Sequence, residues 1–155
     1  MVSAKEIVAL RKTPSTIAKL NKPGAESYST YYIGTINYFL CGTPTPDIKD
    51  HPIAASLFGI EQIKTPSLDA GHFMLVPPDQ ISGIAKALEQ VDLKKLRKQV
   101  ETADAAAMVK SKVGDFELLK GNDAPAAMIV SDVRTLTTFY KDAASRNVGV
   151  VLYTS

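Results

Sequence analysis

Residues 71–91, GHFMLVPPDQISGIAKALEQV, place a short apolar segment directly before an amphipathic one, and this junction decides the fold class. Glycine and Pro77 bound the segment GHFMLV, which predicts a central β-strand over residues 71–76. After Pro78, which suits the first turn of a helix, apolar residues recur at i, i+3, i+4 and i+7. They are Ile81, Ile84, Ala85 and Leu88. The spacing predicts a helix over residues 78–90.

Helical patterns also dominate the chain before this junction. Residues 3–20 have helical spacing, but Pro14 predicts a break, with Thr13 as the N-cap of the second of two short helices. Further along, Pro52 predicts the start of a short helix and Gly59 its end.

The segment YSTYYIGTINYFLC, residues 28–41, combines two conflicting signals. Its β-branched and aromatic residues favour a strand by propensity. Its periodicity favours a helix, because four apolar or aromatic residues form one helical stripe. They are Tyr32, Ile36, Phe39 and Leu40. We predict a helix that Ser29 or Thr30 caps and that Gly42 ends as the C′ residue.

Helices and one strand are predicted for the C-terminal half. Asp92 is placed to cap a helix with one long apolar stripe, formed by Leu93, Leu96, Val100, Ala103 and Ala107. A longer helix follows, with its stripe at Ile129, Val133, Leu136, Tyr140 and Ala143. Asn147 can end that helix in the left-handed conformation, and residues 148–153 then form a strand. Few strands separated by helices predict an α+β fold, a single helix-rich domain over residues 1–155 packed around a small sheet.

Composition restricts the class of protein. The chain has 155 residues, 45% hydrophobic and 22% charged, with a net charge of +2. These values suit one globular domain and exclude a disordered tail or a collagen-like fibre. Cys41 is the only cysteine, so neither an intramolecular disulfide nor a cysteine-based zinc site is available. The charged N-terminus and the short apolar runs predict a soluble cytoplasmic protein without a membrane segment.

Four segments in this order resemble a known family. They are INYFLCGT (36–43), FMLVPPDQISGIAKALEQV (73–91), LKKLRKQV (93–100) and LTTFYKDAASRNVGVVLYT (136–154). Together they are similar to the YfbM-like family, small bacterial single-domain proteins of unassigned function. The resemblance implies a helix-rich α+β fold with a small sheet, and it implies no reaction.

Two departures from the YfbM-like pattern affect the expected site. Family members carry Trp, His and Thr in the helix that ends at the glycine, where this chain has Ile33, Asn37 and Cys41. A site built on that Trp or His is therefore not expected here. The short strand that opens the family is expected to be missing or degenerate, because this chain starts almost directly in a helix.

Single residues with chemical potential each have a structural explanation. Cys41 could be a nucleophile, but the last turn of a helix disfavours the thiolate, which favours a buried structural thiol. His51 is expected at a helix entry, where Asp50 or its own side chain satisfies a free amide. His72 could act as a general base if Asp69 orients its ring, and a hydrogen-bonded structural histidine is the alternative.

Motifs for metals, cofactors and nucleic acids are absent from the sequence. The histidines have no metal-ligand spacing, and neither dinucleotide nor phosphate-loop signatures occur, so no metal and no cofactor is predicted. A basic run could contact phosphate, formed by Lys94, Lys95, Arg97 and Lys98 and extended by Lys110 and Lys112. No aromatic residues interleave it and the chain is only slightly basic, which favours a solvated helix face over a nucleic-acid site.

Two functional hypotheses from different classes follow. The first is a non-catalytic protein-binding module of bacterial type, and by analogy with other small bacterial proteins it could be an immunity-type inhibitor of its protein partner. The clustered tyrosines suit such an interface. The second is a small-molecule-binding protein or unrecognised enzyme, with a tyrosine-lined pocket between the helix of residues 28–41 and the strand that carries His72. The candidate binding residues are Tyr32, Asn37, Tyr38, Glu61, Asp69 and His72. The sequence makes no prediction of oligomeric state.

Overall fold

A computed structural model describes residues 1–20, 28–30, 32–43, 51–64, 72–113, 116 and 124–154. Within these residues, seven α-helices, one 3₁₀ helix (η1) and three strands follow one another along the chain. Their bounds are α1 Ala4–Lys12, η1 Pro14–Lys19, α2 Ile33–Cys41, α3 Pro52–Phe58, β1 Glu61–Ile63, β2 His72–Val76, α4 Pro78–Glu89, α5 Leu93–Glu101, α6 Ala105–Lys110, α7 Pro125–Ser145 and β3 Val150–Thr154. The predicted helix-rich α+β class is confirmed.

The three strands form an antiparallel sheet in the order β1-β2-β3, so the predicted central strand is confirmed as the middle strand. Leu75 of β2 lies opposite Glu61 of β1 and Val151 of β3. Because neighbouring residues of a strand point to opposite faces, Leu75 and Val76 serve two separate cores. Leu75 packs with residues of α1 and η1, whereas Val76 packs with the larger helical layer.

The α1–η1 layer covers one face of the sheet. Ser3 begins α1 with a capping box, in which its side chain accepts the amide N–H of Glu6 and the Glu6 carboxylate accepts the Ser3 amide. Ile7 and Leu10 are buried on the side that meets the sheet. The predicted break at Pro14 is confirmed, although the second helix is a 3₁₀ helix and the Thr13 side chain makes no capping bond.

The start of the chain forms a single β-bridge instead of an opening strand. The backbone of Val2 pairs with that of Gly149, with N–O distances of 2.8 and 2.7 Å. This agrees with the expectation of a degenerate strand at this position.

The helical layer on the other face has α7 at its centre, packed against α4 and α5. All five residues of the predicted α7 stripe are buried, and Asn147 has the expected positive φ of 49°. The four apolar residues of the predicted α4 stripe are buried as well. Helical periodicity therefore placed the main core correctly.

The predicted helix from residue 93 onward is wrong in its length. It ends at Glu101, and a second helix, α6, starts at Ala105. The Thr102 hydroxyl bonds back to the Lys98 carbonyl, and the Asp104 carboxylate accepts the Ala106 amide at 2.8 Å as a new N-cap. A side chain that caps a new helix stabilises a break in the chain and so competes with continuation of the preceding helix. Here the Asp104 cap ends the predicted helix and starts a second one.

The start of α2 also differs from its prediction. The helix starts at Ile33, and its N-cap Tyr32 makes no side-chain capping bond. The Thr30 hydroxyl accepts the Tyr32 amide and donates to the Asp132 carboxylate at 2.6 Å, so it ties the segment to α7. The end of α2 agrees with the prediction, because Gly42 has a φ of 78°, in the left-handed region.

Candidate functional site

A groove of about 380 Å³ lies between the C-terminal half of α2 and the corner that joins α5 to α6. It is open to solvent, and its lining mixes aromatic, small and polar residues. They are Tyr38, Phe39 and Gly42 on one side and Gln99, Thr102, Ala103, Asp104, Ala107 and Met108 on the other. This groove is the candidate functional site.

The α2 wall of the groove is aromatic because of how α2 meets the core. Ile36 is 0% exposed and anchors the helix, whereas Tyr38 and Phe39 are partly buried against the same core. Their rings meet edge to face with centroids 5.6 Å apart, an arrangement that aromatic quadrupoles favour. Part of each ring therefore remains available to a ligand. Gly42 ends the wall, and among the described residues no atom beyond its chain neighbours lies within 4 Å of where a Cβ would stand.

The opposite wall exists because Asp104 separates α5 from α6. Ala103 and Ala107 leave room at the corner, and the buried Met108 packs into the helical core from the same wall. Gln99 is exposed on α5. The wall therefore offers apolar contact near Met108 and an amide that can donate and accept hydrogen bonds at Gln99.

Asn37 lies inside the protein rather than in the groove lining. It is 0% exposed, and its Nδ2 donates to the carbonyl of Thr43, just after the helix, at 2.5 Å. Its Oδ1 is buried and has no hydrogen-bond partner among the described residues. The bond to Thr43 fixes the turn at the end of α2.

Cys41 and His51 face each other where α2 ends and α3 begins. The Cys41 Sγ lies 3.4 Å from the His51 Nδ1 and accepts the backbone N–H of Ala54. Burial raises the pKa of the Cys41 thiol to about 11, although the Ala54 bond opposes this shift, so the group is a thiol at neutral pH. His51 is the N-cap residue of α3 as expected, but its side chain makes no capping bond. Asp50, the other residue expected to satisfy the free amide, lies outside the described residues.

Glu61 lies on the opposite side of the sheet from the tyrosines of α2. In β1 it shares a face with Ile63, which packs against the α1–η1 layer. The Arg11 guanidinium donates to both Glu61 oxygens, at 3.0 and 2.6 Å, and lowers the pKa of that carboxyl. Glu61 and Tyr38 therefore do not share a pocket, which corrects the expected arrangement of the small-molecule hypothesis.

The structure describes only part of the remaining predicted residues. Tyr32 packs against the core at the start of α2. The backbone of His72 pairs with Thr154 in the sheet, its side chain lies outside the described set, and Asp69 lies wholly outside it. The binding roles of these residues stay predictions. Of the candidate side chains that the structure describes, only that of Tyr38 lines the groove.

Among the described tyrosines, Tyr28 and Tyr38 make their ring contacts with different partners. Tyr28 packs on Phe139 of α7 with centroids 6.4 Å apart, and its hydroxyl donates to the Asp132 carbonyl at 3.3 Å. Its burial raises the pKa of the phenol well above its usual value. Tyr31 lies outside the described residues. Tyr28 thus holds its segment onto α7.

Comparison with known proteins identifies the family. A profile described as a domain of unknown function, DUF1877, matches residues 2–153. The chain belongs to the DUF1877 family. A crystal structure of a protein of unknown function, YfbM from Escherichia coli, is similar to this DUF1877 chain with a TM-score of 0.68 at 18% identity. The match covers 98% of this chain and 94% of the other and shows a common fold, which confirms the YfbM-like resemblance. No curated protein matches significantly.

The described part of this DUF1877 chain contains neither a helix that could span a membrane nor a cluster of metal-binding side chains. None of its helices has the length and apolar character needed to cross a bilayer. No group of three or more His, Cys, Asp or Glu side chains is arranged there to hold a metal ion.

Proposed function

We propose that this DUF1877 protein is a non-catalytic protein-binding module whose groove between α2 and the α5–α6 corner receives a segment of its partner. The observation that supports the proposal is the groove itself, with the aromatic wall of Tyr38 and Phe39 on one side and the exposed Gln99, Thr102 and Ala107 on the other. Aromatic residues are enriched at protein interfaces, where a few anchors supply most of the binding energy. A side chain from a partner would find such an anchor point here.

The exposure of the lining suits a protein segment. Gln99, Thr102 and Ala107 are exposed before any partner binds. A partner that covers them would form the polar rim of an interface around the aromatic anchor. An extended chain crossing the groove could also bond its amides to the Gln99 side chain.

We place an immunity-type role within this function. In that role the protein would block its partner's activity by occupying a surface, which requires binding alone. The groups with shifted pKa values that could otherwise suggest chemistry, Cys41 and Glu61, do not line the groove.

Site-specific photo-cross-linking tests the proposal. A photoreactive amino acid replaces Gln99 in one protein and, as a control, the exposed Lys86 of α4 in another, and both are expressed in the source cells. We expect one discrete cross-linked protein from position 99 and none of it from position 86. The product should disappear when Ala107→Trp fills the groove in a variant with unchanged circular dichroism. No product from position 99, or the same products from both positions, would overturn the proposal.

Small-molecule binding in the same groove is the second candidate, because about 380 Å³ lies within the range of roughly 300–1,000 Å³ typical of ligand pockets. Native mass spectrometry of the protein purified from its source cells separates the two functions. A bound small molecule that Ala107→Trp removes would favour this candidate over the protein-binding module.

A further inference from the structure

Positive charge is concentrated on the helices that form one wall of the groove. Residues 92–112 carry six basic and three acidic residues, a net charge of +3, whereas the whole chain carries +2. The rest of the chain is therefore slightly acidic, at −1. A local excess of one sign attracts partners of the opposite sign and speeds their association.

Two of these lysines lie next to the groove. Lys95 precedes Gln99 by four residues on α5, and Lys98 precedes Thr102 by four. Residues four apart lie on the same face of a helix, and both Gln99 and Thr102 line the groove. Lys95 and Lys98 therefore lie on the face of α5 that borders the groove.

Both lysines are available to a partner. Lys95 and Lys98 are exposed, and neither has a carboxylate within salt-bridge distance among the residues that the structure describes. Their neighbour Arg97 differs, because it lies 3.8 Å from Glu101 in an ion pair along the helix.

We propose that the partner segment is acidic, with one apolar side chain packed against Tyr38 and Phe39 and carboxylates paired with Lys95 and Lys98. This inference rests on the proposed function and specifies the partner for the same groove. Discrete carboxylates suit the charges here better than a nucleic acid does. A peptide can place its carboxylates beside Lys95 and Lys98 and an uncharged residue beside Asp104, which lines the groove, whereas a continuous phosphate backbone would carry its charges past Asp104 as well.

Selection of short random peptides displayed on phage tests this inference with a defined probe. The wild-type protein is the bait, and Ala107→Trp serves for counter-selection so that only groove-dependent peptides are kept. We expect the enriched peptides to combine an aromatic or aliphatic residue with neighbouring Asp or Glu.

Charge-reversal variants then measure the contribution of the lysines. The double variant Lys95→Glu/Lys98→Glu should weaken the best peptide about tenfold, since two surface ion pairs are lost and like charges replace them. The control Lys5→Glu/Lys86→Glu makes the same change in net charge at exposed positions on α1 and α4 and should leave affinity within about twofold. Added salt should weaken the wild type more than the first double variant.

The outcomes separate this inference from the function on which it rests. Groove-dependent peptides that are neutral or basic, or equal losses in both double variants, would overturn the acidic partner and leave the protein-binding groove intact. Absence of any groove-dependent peptide would overturn both. Binding of a single-stranded RNA probe that needs Lys95 and Lys98, in place of peptide binding, would overturn the acidic segment in favour of a nucleic acid.

Discussion

Replacement of Tyr140 by Phe tests how the helical core is held to α3. The Tyr140 hydroxyl is buried and donates to the carbonyl of Ser56 at 2.9 Å. That carbonyl lies in the last turn of α3, where the amide four residues later would normally pair with it. The later amide belongs to Ile60 and donates instead to the Leu75 carbonyl at 3.0 Å. Tyr140 thus supplies the missing donor.

The expected cost follows from the unpaired carbonyl. Tyr140→Phe keeps the ring and its packing but leaves a buried acceptor without a donor, which costs about 1–3 kcal/mol of unfolding free energy. For a chain of this length, each kcal/mol lowers the melting temperature by about 2–4 °C. A central value of about 2 kcal/mol therefore gives a fall of about 6 °C.

Urea unfolding followed by circular dichroism measures this loss. The control is Tyr153→Phe, because Tyr153 is 53% exposed and should change stability by less than about 0.5 kcal/mol. The urea midpoint should fall for Tyr140→Phe, whereas the slope of the unfolding free energy against urea concentration should not change. This combination indicates that the substitution changes stability alone. Equal midpoints for the two variants would refute the argument that the hydroxyl caps α3.

Three further predictions concern backbone strain, thiol reactivity and pH. Gly59→Ala should lower the free energy of unfolding by at least about 2 kcal/mol, because the φ of Gly59 is +74° and a Cβ there would collide with β2. Gly83 lies on the open surface of α4, so Gly83→Ala should raise the free energy of unfolding by about 0.5–1 kcal/mol. Urea unfolding in which both variants shift the midpoint in the same direction would contradict this. Alkylation of Cys41 by iodoacetamide should be slow at about pH 7 and rise about tenfold per pH unit up to its pKa of about 11, and a plateau below about pH 9 would contradict that value. Because Arg11 lowers the pKa of Glu61, the ion pair stabilises above the usual glutamate pKa of about 4.3, and its contribution is lost as the pH falls through the lower folded value. Glu61→Gln should therefore reduce the difference in urea midpoint between neutral and acidic pH, and an unchanged difference would show that the pair is inert.

The sequence predicted the elements that have a local signal, either an amphipathic pattern or a proline or glycine at the boundary. The stripe of α7 and the proline and glycine boundaries of α3 appear in the structure where the spacing placed them. The strand β1 was not predicted, since its three residues, Glu61, Gln62 and Ile63, lack a run of alternating apolar residues. Its pairing with β2 is a long-range contact, which propensity does not encode. The break before α6 did have a local signal, because Thr102 and Asp104 are typical helix-ending and helix-starting residues.

The candidate site was harder to predict than the fold because its two walls are far apart in sequence. The residue type identifies Tyr38, but Gln99 and Met108 in the other wall follow it by 61 and 70 positions and have no motif. Glu61 was assigned to the same site because strand parity was unknown. Once β1 pairs with β2, parity directs Glu61 toward α1 and away from α2.

Most residues that line the groove can be substituted with little effect on the stability of the core, so mutations can test the proposed function. Gln99, Thr102, Asp104 and Ala107 are exposed, whereas Met108 is buried. Surface substitutions away from special features change stability by about 0.5 kcal/mol or less, so changes at Gln99 or Ala107 should alter binding in a folded protein. Asp104 differs because it also caps α6, and its removal would move the wall itself. Loss of binding at Gln99 and Ala107 without loss of stability would therefore point to the groove surface, whereas loss at Asp104 alone would point only to the helix corner.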